Sequence, residues 1–214
     1  MTDGIISSLL PGAIAVHLMM LLLWLVHLRT GNASIVDPGW AFGLVLMASS
    51  IAYVSPGYSP RIWIMAGMVT LWGLRLGGYL LRRILGHEEE GRYQELRRRW
   101  KTRVPWKFLV FFQAQAASVV LLSLVFALPA LNPAPRLEML EVFAAGLWLI
   151  AWAGESLADR QLAAFKRQAG SAGQVCQQGL WAFSRHPNYF FEWLIWLAWA
   201  LYAAASPDRK STRL

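Results

Sequence analysis

Only one of the 214 residues is cysteine, and only 12 are acidic. Cys176 alone closes no internal disulfide and finds no second thiolate for zinc, so a secreted disulfide scaffold and a thiolate metal centre are both excluded. Charge of either sign is scarce. Asp, Glu, Lys and Arg make up 15% of the chain, against about 25% in soluble domains. The same composition excludes disorder and collagen. No G-x-G-x-x-G follows a strand, and there is no P-loop, no H-E-x-x-H and no nucleophile elbow. Rossmann, phosphate-loop, metalloprotease and serine-hydrolase chemistries are thereby set aside, and no metal site is expected.

What the chain has in abundance is hydrocarbon. Apolar residues account for 57% of it, and the mean hydropathy is +0.40. That excess fits an all-α, polytopic transmembrane bundle, built as a single transmembrane domain over residues 1–214. A net charge of +8 raises nucleic-acid binding. It is set aside because the basic residues lie in stretches flanking apolar runs, as juxtamembrane loops do.

A spanning helix needs roughly 20 apolar residues. Six runs qualify: 5–28, 40–54, 62–81, 108–128, 140–157 and 189–205. Residues 5–28 are too long for a signal-peptide core and lack a basic start. The stretch 82–107 alone carries nine of the 20 Lys and Arg residues. The connection after the fifth run adds Arg160, Lys166, Arg167 and Arg185, whereas the opposite loops hold only Arg61 and Arg136. The positive-inside rule therefore puts these basic stretches in the cytoplasm and the N-terminus outside. Six spans leave the basic tail (Arg209, Lys210, Arg213) outside; a seventh helix beyond Leu214 would return it to the cytoplasm. Many of the 12 tryptophans suit an interfacial belt, among them Trp24, Trp40, Trp63, Trp100 and Trp106. No internal repeat stands out.

Polar groups at membrane depth are costly, so each needs a reason. Trp72, Arg75 and Tyr79 are spaced i, i+3, i+7 and share a helix face. Either Arg75 snorkels to the headgroups, or the face lines a polar cavity with Tyr79 as a donor. Glu155, Asp159 and Lys166 form a second stripe, read as a solvated helix end or as a pocket wall. The densest cluster runs from Gly179 to Glu192. Pro187 suits a first helical turn, and a helix start receives anions. Arg185, Asn188, Tyr189 and Glu192 follow at i, i+3, i+4, i+7, with Arg185 shaped for phosphate. The alternative is a capped helix with an interfacial arginine. His17 and His27 read as packed or interfacial, His87 as a loop residue, and Gly77 and Gly78 as helix-packing positions.

Four pieces together resemble the DUF1295 branch of the steroid 5-alpha-reductase-like membrane proteins. They are Asp37-Pro38-Gly39-Trp40, the run from Trp72 to Leu80, the run from Glu155 to Lys166, and Gly179-Leu180-Trp181 through Arg185-His186-Pro187-Asn188-Tyr189 to Glu192. The resemblance implies a seven-helix membrane oxidoreductase. Such an enzyme uses NADPH to reduce an activated carbon–carbon double bond of a sterol-like or polyprenyl lipid. Carried over by position, Asp159, Lys166, Arg185, Asn188, Tyr189 and Glu192 hold the nucleotide on the cytoplasmic side. Tyr79 is the catalytic donor to the substrate carbonyl, and Trp72 and Glu155 lie on the substrate side. The cations Lys166 and Arg185 favour NADPH over NADH, because the extra phosphate needs cationic partners. Family members continue into a last helix and a terminal motif that this chain lacks. A bacterial inner membrane is the expected location, and the partners expected are a lipid-like substrate and the bilayer rather than nucleic acid. Two other readings stand beside this one. The chain is an S-adenosylmethionine-dependent isoprenylcysteine or phospholipid-type methyltransferase, since Arg-His-Pro-x-Tyr occurs in those enzymes too. Or it is a catalytically inactive membrane scaffold.

Overall fold

A computed structural model describes residues 2–168 and 173–206; Arg209, Lys210 and Arg213 lie outside them. Helices form throughout the described residues, which contain no strand. Among these residues, five helices are long and apolar enough to cross a membrane: Asp3–Thr30, Ala33–Val54, Ser59–Ile84, Val104–Ala130 and Met139–Lys166. The protein is a polytopic helical membrane protein. The sixth expected run does form a helix, Pro187–Ala204, but does not join those five. Asn188, Tyr189 and Glu192 in its first two turns dilute its apolar character.

Two compact units make up the chain, Met1–Arg136 and Leu137–Leu214. The first holds α1 (Thr2–Thr30), a 3-10 turn (Ala33–Ile35), α2 (Val36–Val54), α3 (Ser59–Ile84), α4 (Gly91–Trp100), α5 (Val104–Leu122) and α6 (Leu124–Ala130). Helix α2 is the hub, packing on α1, α3, α5 and α6. Its close crossing with α3 needs missing side chains. A Cβ on Gly73 would sit 2.4 Å from Val45, and one on Gly77 would sit 2.6 Å from the Phe42 ring. Gly78, expected to share that role, faces open space. The fourth expected span lies within Val104–Ala130, which is divided at Ser123. Ser123 is fully buried, and its hydroxyl bonds back to the Val119 carbonyl at 2.8 Å. Such back-bonding bends helices, and here α5 ends and α6 begins.

Both ends of this unit are held by polar clasps between residues distant in sequence. Arg61 does not lie in a loop, as the charge pattern suggested. It sits in the first turn of α3, fully buried. Its guanidinium donates to the carbonyls of Asn132 (3.1 Å), Ala134 (2.9 Å) and Arg136. A guanidinium's planar fork suits three diverging acceptors. The Tyr58 N–H donates to the Asn132 carbonyl as well.

At the other end, the basic stretch is no simple loop, because residues 91–100 fold into α4. Glu95 pairs with Arg98 and Arg99 one turn on, the spacing that supports a short helix. Helix α4 is strapped to the α1–α2 turn. Tyr93 donates its hydroxyl to Asp37 at 2.6 Å, and Arg92 pairs with the other carboxylate oxygen. Glu89 accepts the Ala33 N–H at 2.8 Å and pairs with Arg97 at 2.9 Å, and the Ser34 hydroxyl accepts the Glu90 N–H. Burial pushes the Glu89 carboxyl up, but the hydrogen bonds from Arg97 and Ala33 and the Arg97 charge outweigh it, so Glu89 titrates below the usual carboxylate range. Burial, and then the bond to Asp37, push the Tyr93 hydroxyl well above its ordinary value.

The second unit is simpler. Helix α7 (Met139–Lys166) opens with a capping box in which the Glu138 N–H donates to Glu141 at 2.7 Å. A 3-10 turn (Gly179–Ala182) leads to α8 (Pro187–Ala204), which packs along α7. The crossing is close at Gly154, where a Cβ would meet the Phe191 ring at 2.3 Å.

Two consequences are measurable. A depressed carboxyl stabilises the fold above its ordinary pKa of 4.5 and withdraws that stability as pH falls through its folded value. Melting in detergent should therefore weaken below about pH 4.5, and Glu89→Gln should lower the melting temperature at pH 7 while flattening that acid limb. An unchanged acid limb in the variant would assign the effect elsewhere. Arg61→Met should destabilise by at least about 3 kcal/mol, because buried carbonyls lose charged donors. Arg61→Lys, a single donor centre in place of the fork, should cost less; equal melting of all three proteins would discount the clasp.

Candidate functional site

The expected nucleotide residues all belong to the second unit. Asp159 and Lys166 lie on the last third of α7, and Lys166 is its final residue, a favourable place for a cation. The 3-10 turn is fastened to this part of α7 by two bonds. The Leu180 N–H donates to the Gln161 side chain at 2.9 Å, and the Trp181 indole donates to the Ala158 carbonyl at 2.9 Å. Gly179 takes a left-handed φ of +57°, and a Cβ there would sit 2.4 Å from the Gln161 amide. Glycine at this position therefore sets both the turn and its distance from α7. The turn delivers the chain to Pro187, the first residue of α8.

That start differs from the expectation in one respect. Arg185 precedes the helix, so it shares no helical face with Asn188 and Glu192. It is exposed, and its guanidinium has no partner among the described residues. Its place is a short polar loop in which the Ser184 hydroxyl accepts the His186 N–H at 3.1 Å.

Two of the expected residues meet. Asn188 donates its side-chain amide to Asp159 at 3.3 Å, joining α8 to α7 across 29 positions of sequence. The same amide's carbonyl oxygen is buried and accepts no hydrogen bond among the described residues. Unmet buried acceptors are rare in folded proteins and call for an explanation. No side chain caps the start of α8. The first N–H groups of a helix have no partner within it, and Pro187 itself has none to offer, which leaves those of Asn188 and Tyr189. A buried acceptor and two backbone donors thus face the same turn, beside an exposed arginine.

The remaining candidates are placed as follows. Glu192 accepts the Trp196 indole N–H at 2.9 Å, one turn along its own helix. Tyr189 is exposed and stacks on His186 with ring centroids 5.3 Å apart. Glu155 is buried at 5% exposure one turn before Asp159. In the first unit, Trp72 is fully buried edge-on against Trp40, 6.2 Å between centroids, and Trp40 in turn donates to Ser118. Trp72 is thereby a packing residue within its unit. Tyr79, seven residues on, is half exposed, and its hydroxyl has no partner among the described residues. Among the described residues, no three His, Cys, Asp or Glu side chains cluster as a metal site.

Sequence reasoning had passed over the two clasps. Asp37 was noted only as part of a motif, yet it anchors Tyr93 and Arg92. The signal available was the run of three acids, 88–90, beside so many arginines. His17 is a packed residue as expected, its ring nitrogen 2.7 Å from the Gln113 side chain, and His27 is buried 4.8 Å from the Phe108 ring centroid.

Comparison with curated proteins and with solved structures finds no match. A family described as "Protein of unknown function (DUF1295)" matches residues 23–213, a range that takes in every candidate residue of both units. With its Asp37 motif and its α7–α8 turn both inside that match, the chain belongs to the DUF1295 family.

Proposed function

We propose that this protein is a membrane oxidoreductase that uses NADPH to reduce an activated carbon–carbon double bond of a sterol-like or polyprenyl lipid. The observation that carries the reading is Asn188. Its amide is oriented by Asp159 so that a buried, unmet carbonyl oxygen remains. Such an acceptor matches the amide or hydroxyl donors of a dinucleotide. The uncapped start of α8 suits its phosphates, and Arg185 supplies a fork-shaped cation for one of them. Lys166 at the end of α7 adds a second cation, which favours the phosphorylated nucleotide. The donor set therefore fits the group.

When bound, NADPH supplies a hydride for the carbon beta to a carbonyl. The chain's own part is electrostatic. The Tyr79 hydroxyl would donate a hydrogen bond to the carbonyl oxygen as negative charge grows there. One such donor is typically worth about 2.7–4 kcal/mol of barrier. Tyr79 lies on a membrane-spanning helix, and the low dielectric of such a place strengthens the contact.

The reading is tested with the purified full chain in detergent, titrated with NADPH and followed by tryptophan fluorescence. Arg185→Ala and Asn188→Ala should each weaken binding roughly tenfold, the weight of one charge-assisted or buried hydrogen bond. Unaltered affinity in both would overturn the site. Stabilisation by S-adenosylmethionine in place of NADPH would assign a methyltransferase, and no response to either would assign a scaffold. With a steroid 4-en-3-one as probe, Tyr79→Phe should lower turnover about 100-fold while NADPH affinity stays unchanged. A variant as fast as the parent would remove Tyr79 from the chemistry.

A further inference from the structure

Not every cation of the basic segment is neutralised. Arg83 pairs with Glu90, Arg92 with Glu90 and Asp37, Arg97 with Glu89, and Arg98 and Arg99 with Glu95. These pairs use three of the segment's four carboxylates, leaving Glu88. The Arg103 guanidinium has no partner among the described residues. Among the described residues the Lys107 ammonium donates only to the Trp100 carbonyl, at 3.2 Å.

Both of these side chains line one cleft of about 560 Å³ at the start of α5, with Trp100, Trp106, Val110, Phe111 and Ala114 as its other walls. Lys107, Val110, Phe111 and Ala114 are spaced i, i+3, i+4, i+7, which is one face of a helix. The cleft therefore passes from a cationic mouth to an apolar floor over about 10 Å of helix. Val110, 70% exposed, and Ala114 lie on a span, where their surroundings are hydrocarbon. Tryptophans fix the depth of the mouth. Trp106 lies 6.3 Å from Trp24, which donates to the Pro105 carbonyl. Indoles settle at headgroup level.

We infer that this cleft binds one anionic phospholipid, its phosphate held between Arg103 and Lys107 and one acyl chain laid against Val110, Phe111 and Ala114. A small anion would gain nothing from the apolar floor, and a neutral lipid would gain nothing from two uncompensated cations. Only a ligand carrying phosphate and hydrocarbon together uses both. Arginine grips phosphate in a bidentate fork, and lysine adds a point charge. The site is independent of the α7–α8 turn, so its failure would leave the oxidoreductase reading intact, and the reverse holds too.

The test is native mass spectrometry of the full chain in detergent, with phosphatidylglycerol and phosphatidylcholine of identical chains offered in turn. Phosphatidylglycerol should be retained in preference. Arg103→Gln with Lys107→Gln should weaken its retention about 25-fold, near fivefold per cation. Val110→Trp, which keeps both charges and fills the floor, should weaken it at least fivefold. Arg98→Gln with Arg99→Gln, whose partners are within the protein, should change it less than twofold. Diffuse attraction would instead show equal losses for the two arginine-bearing doubles and none for Val110→Trp, and would overturn the site. Displacement of the lipid by millimolar inorganic phosphate would assign a free-anion site and overturn it as well. Thermal melting checks the fold of each variant. A phosphatidylglycerol with a diazirine in its acyl chain should label residues 110–114 of the unaltered chain, and labelling confined to other segments would refute the placement.

Discussion

Hydrocarbon offers no hydrogen bonds, and that constraint decides where nearly every polar side chain of this protein goes. Arg61 is buried in the first turn of a spanning helix, where its guanidinium supplies donors to three turn carbonyls. His17 and Gln113, halfway along their helices, answer each other, and so do Trp40 and Ser118. The few polar groups of the first unit thus act as internal clips between helices. Packing alone joins helices weakly in a bilayer, where hydrocarbon surrounds folded and separated helices alike.

In the second unit, the buried carbonyl oxygen of Asn188 accepts no hydrogen bond among the described residues. Its own amide nitrogen is committed to Asp159, so the group cannot simply turn to find a partner without losing one. The surrounding geometry is equally determined. Gln161 and Trp181 fix the preceding turn on α7, Gly179 admits it, and Pro187 starts α8 with no N–H to satisfy. A rigid frame around an unsatisfied acceptor is the arrangement expected of a preorganised binding site, where the ligand rather than the protein completes the hydrogen bonding.

The membrane helices were legible because a run of about 20 apolar residues has few other fates. Even the start of α8 at Pro187 was readable, since proline there is a local signal. What escaped was set by partners far away. Nothing near Arg61 announces that three carbonyls some 70 residues later need it. Ser123 looks like any small residue within a span, yet its back-bond separates α5 from α6. The helical spacing of Arg185 with Asn188 held on paper, but it presumed a helix two residues longer than the one that forms. The site suffers the same limit. Asp159 and Asn188 are each singled out by helical spacing as well as by resemblance, but their contact depends on a glycine turn whose geometry no periodicity describes. The contact of Trp72 with Trp40 in the neighbouring helix has no local signature either.

Asp37 shows how a motif and a chemical role come apart. An aspartate in an Asp-Pro-Gly-Trp run at membrane depth invites a catalytic reading. Here its two oxygens are occupied, one by the Tyr93 hydroxyl and one by Arg92, and Tyr93 is itself fully buried. A carboxylate so engaged is a poor proton carrier, because releasing either partner would leave a buried polar group unmet. It is a good anchor, however, because both partners lie on α4 and both bonds must break before that helix can leave the α1–α2 turn. The strap holds the basic segment close to the start of α5, and Arg103 and Lys107 are among the cations that remain beyond its ion pairs. The motif therefore acts on function at one remove. It fixes where the positive charge sits relative to the hydrocarbon, and the side chains it leaves unpaired are the ones available to an outside ligand.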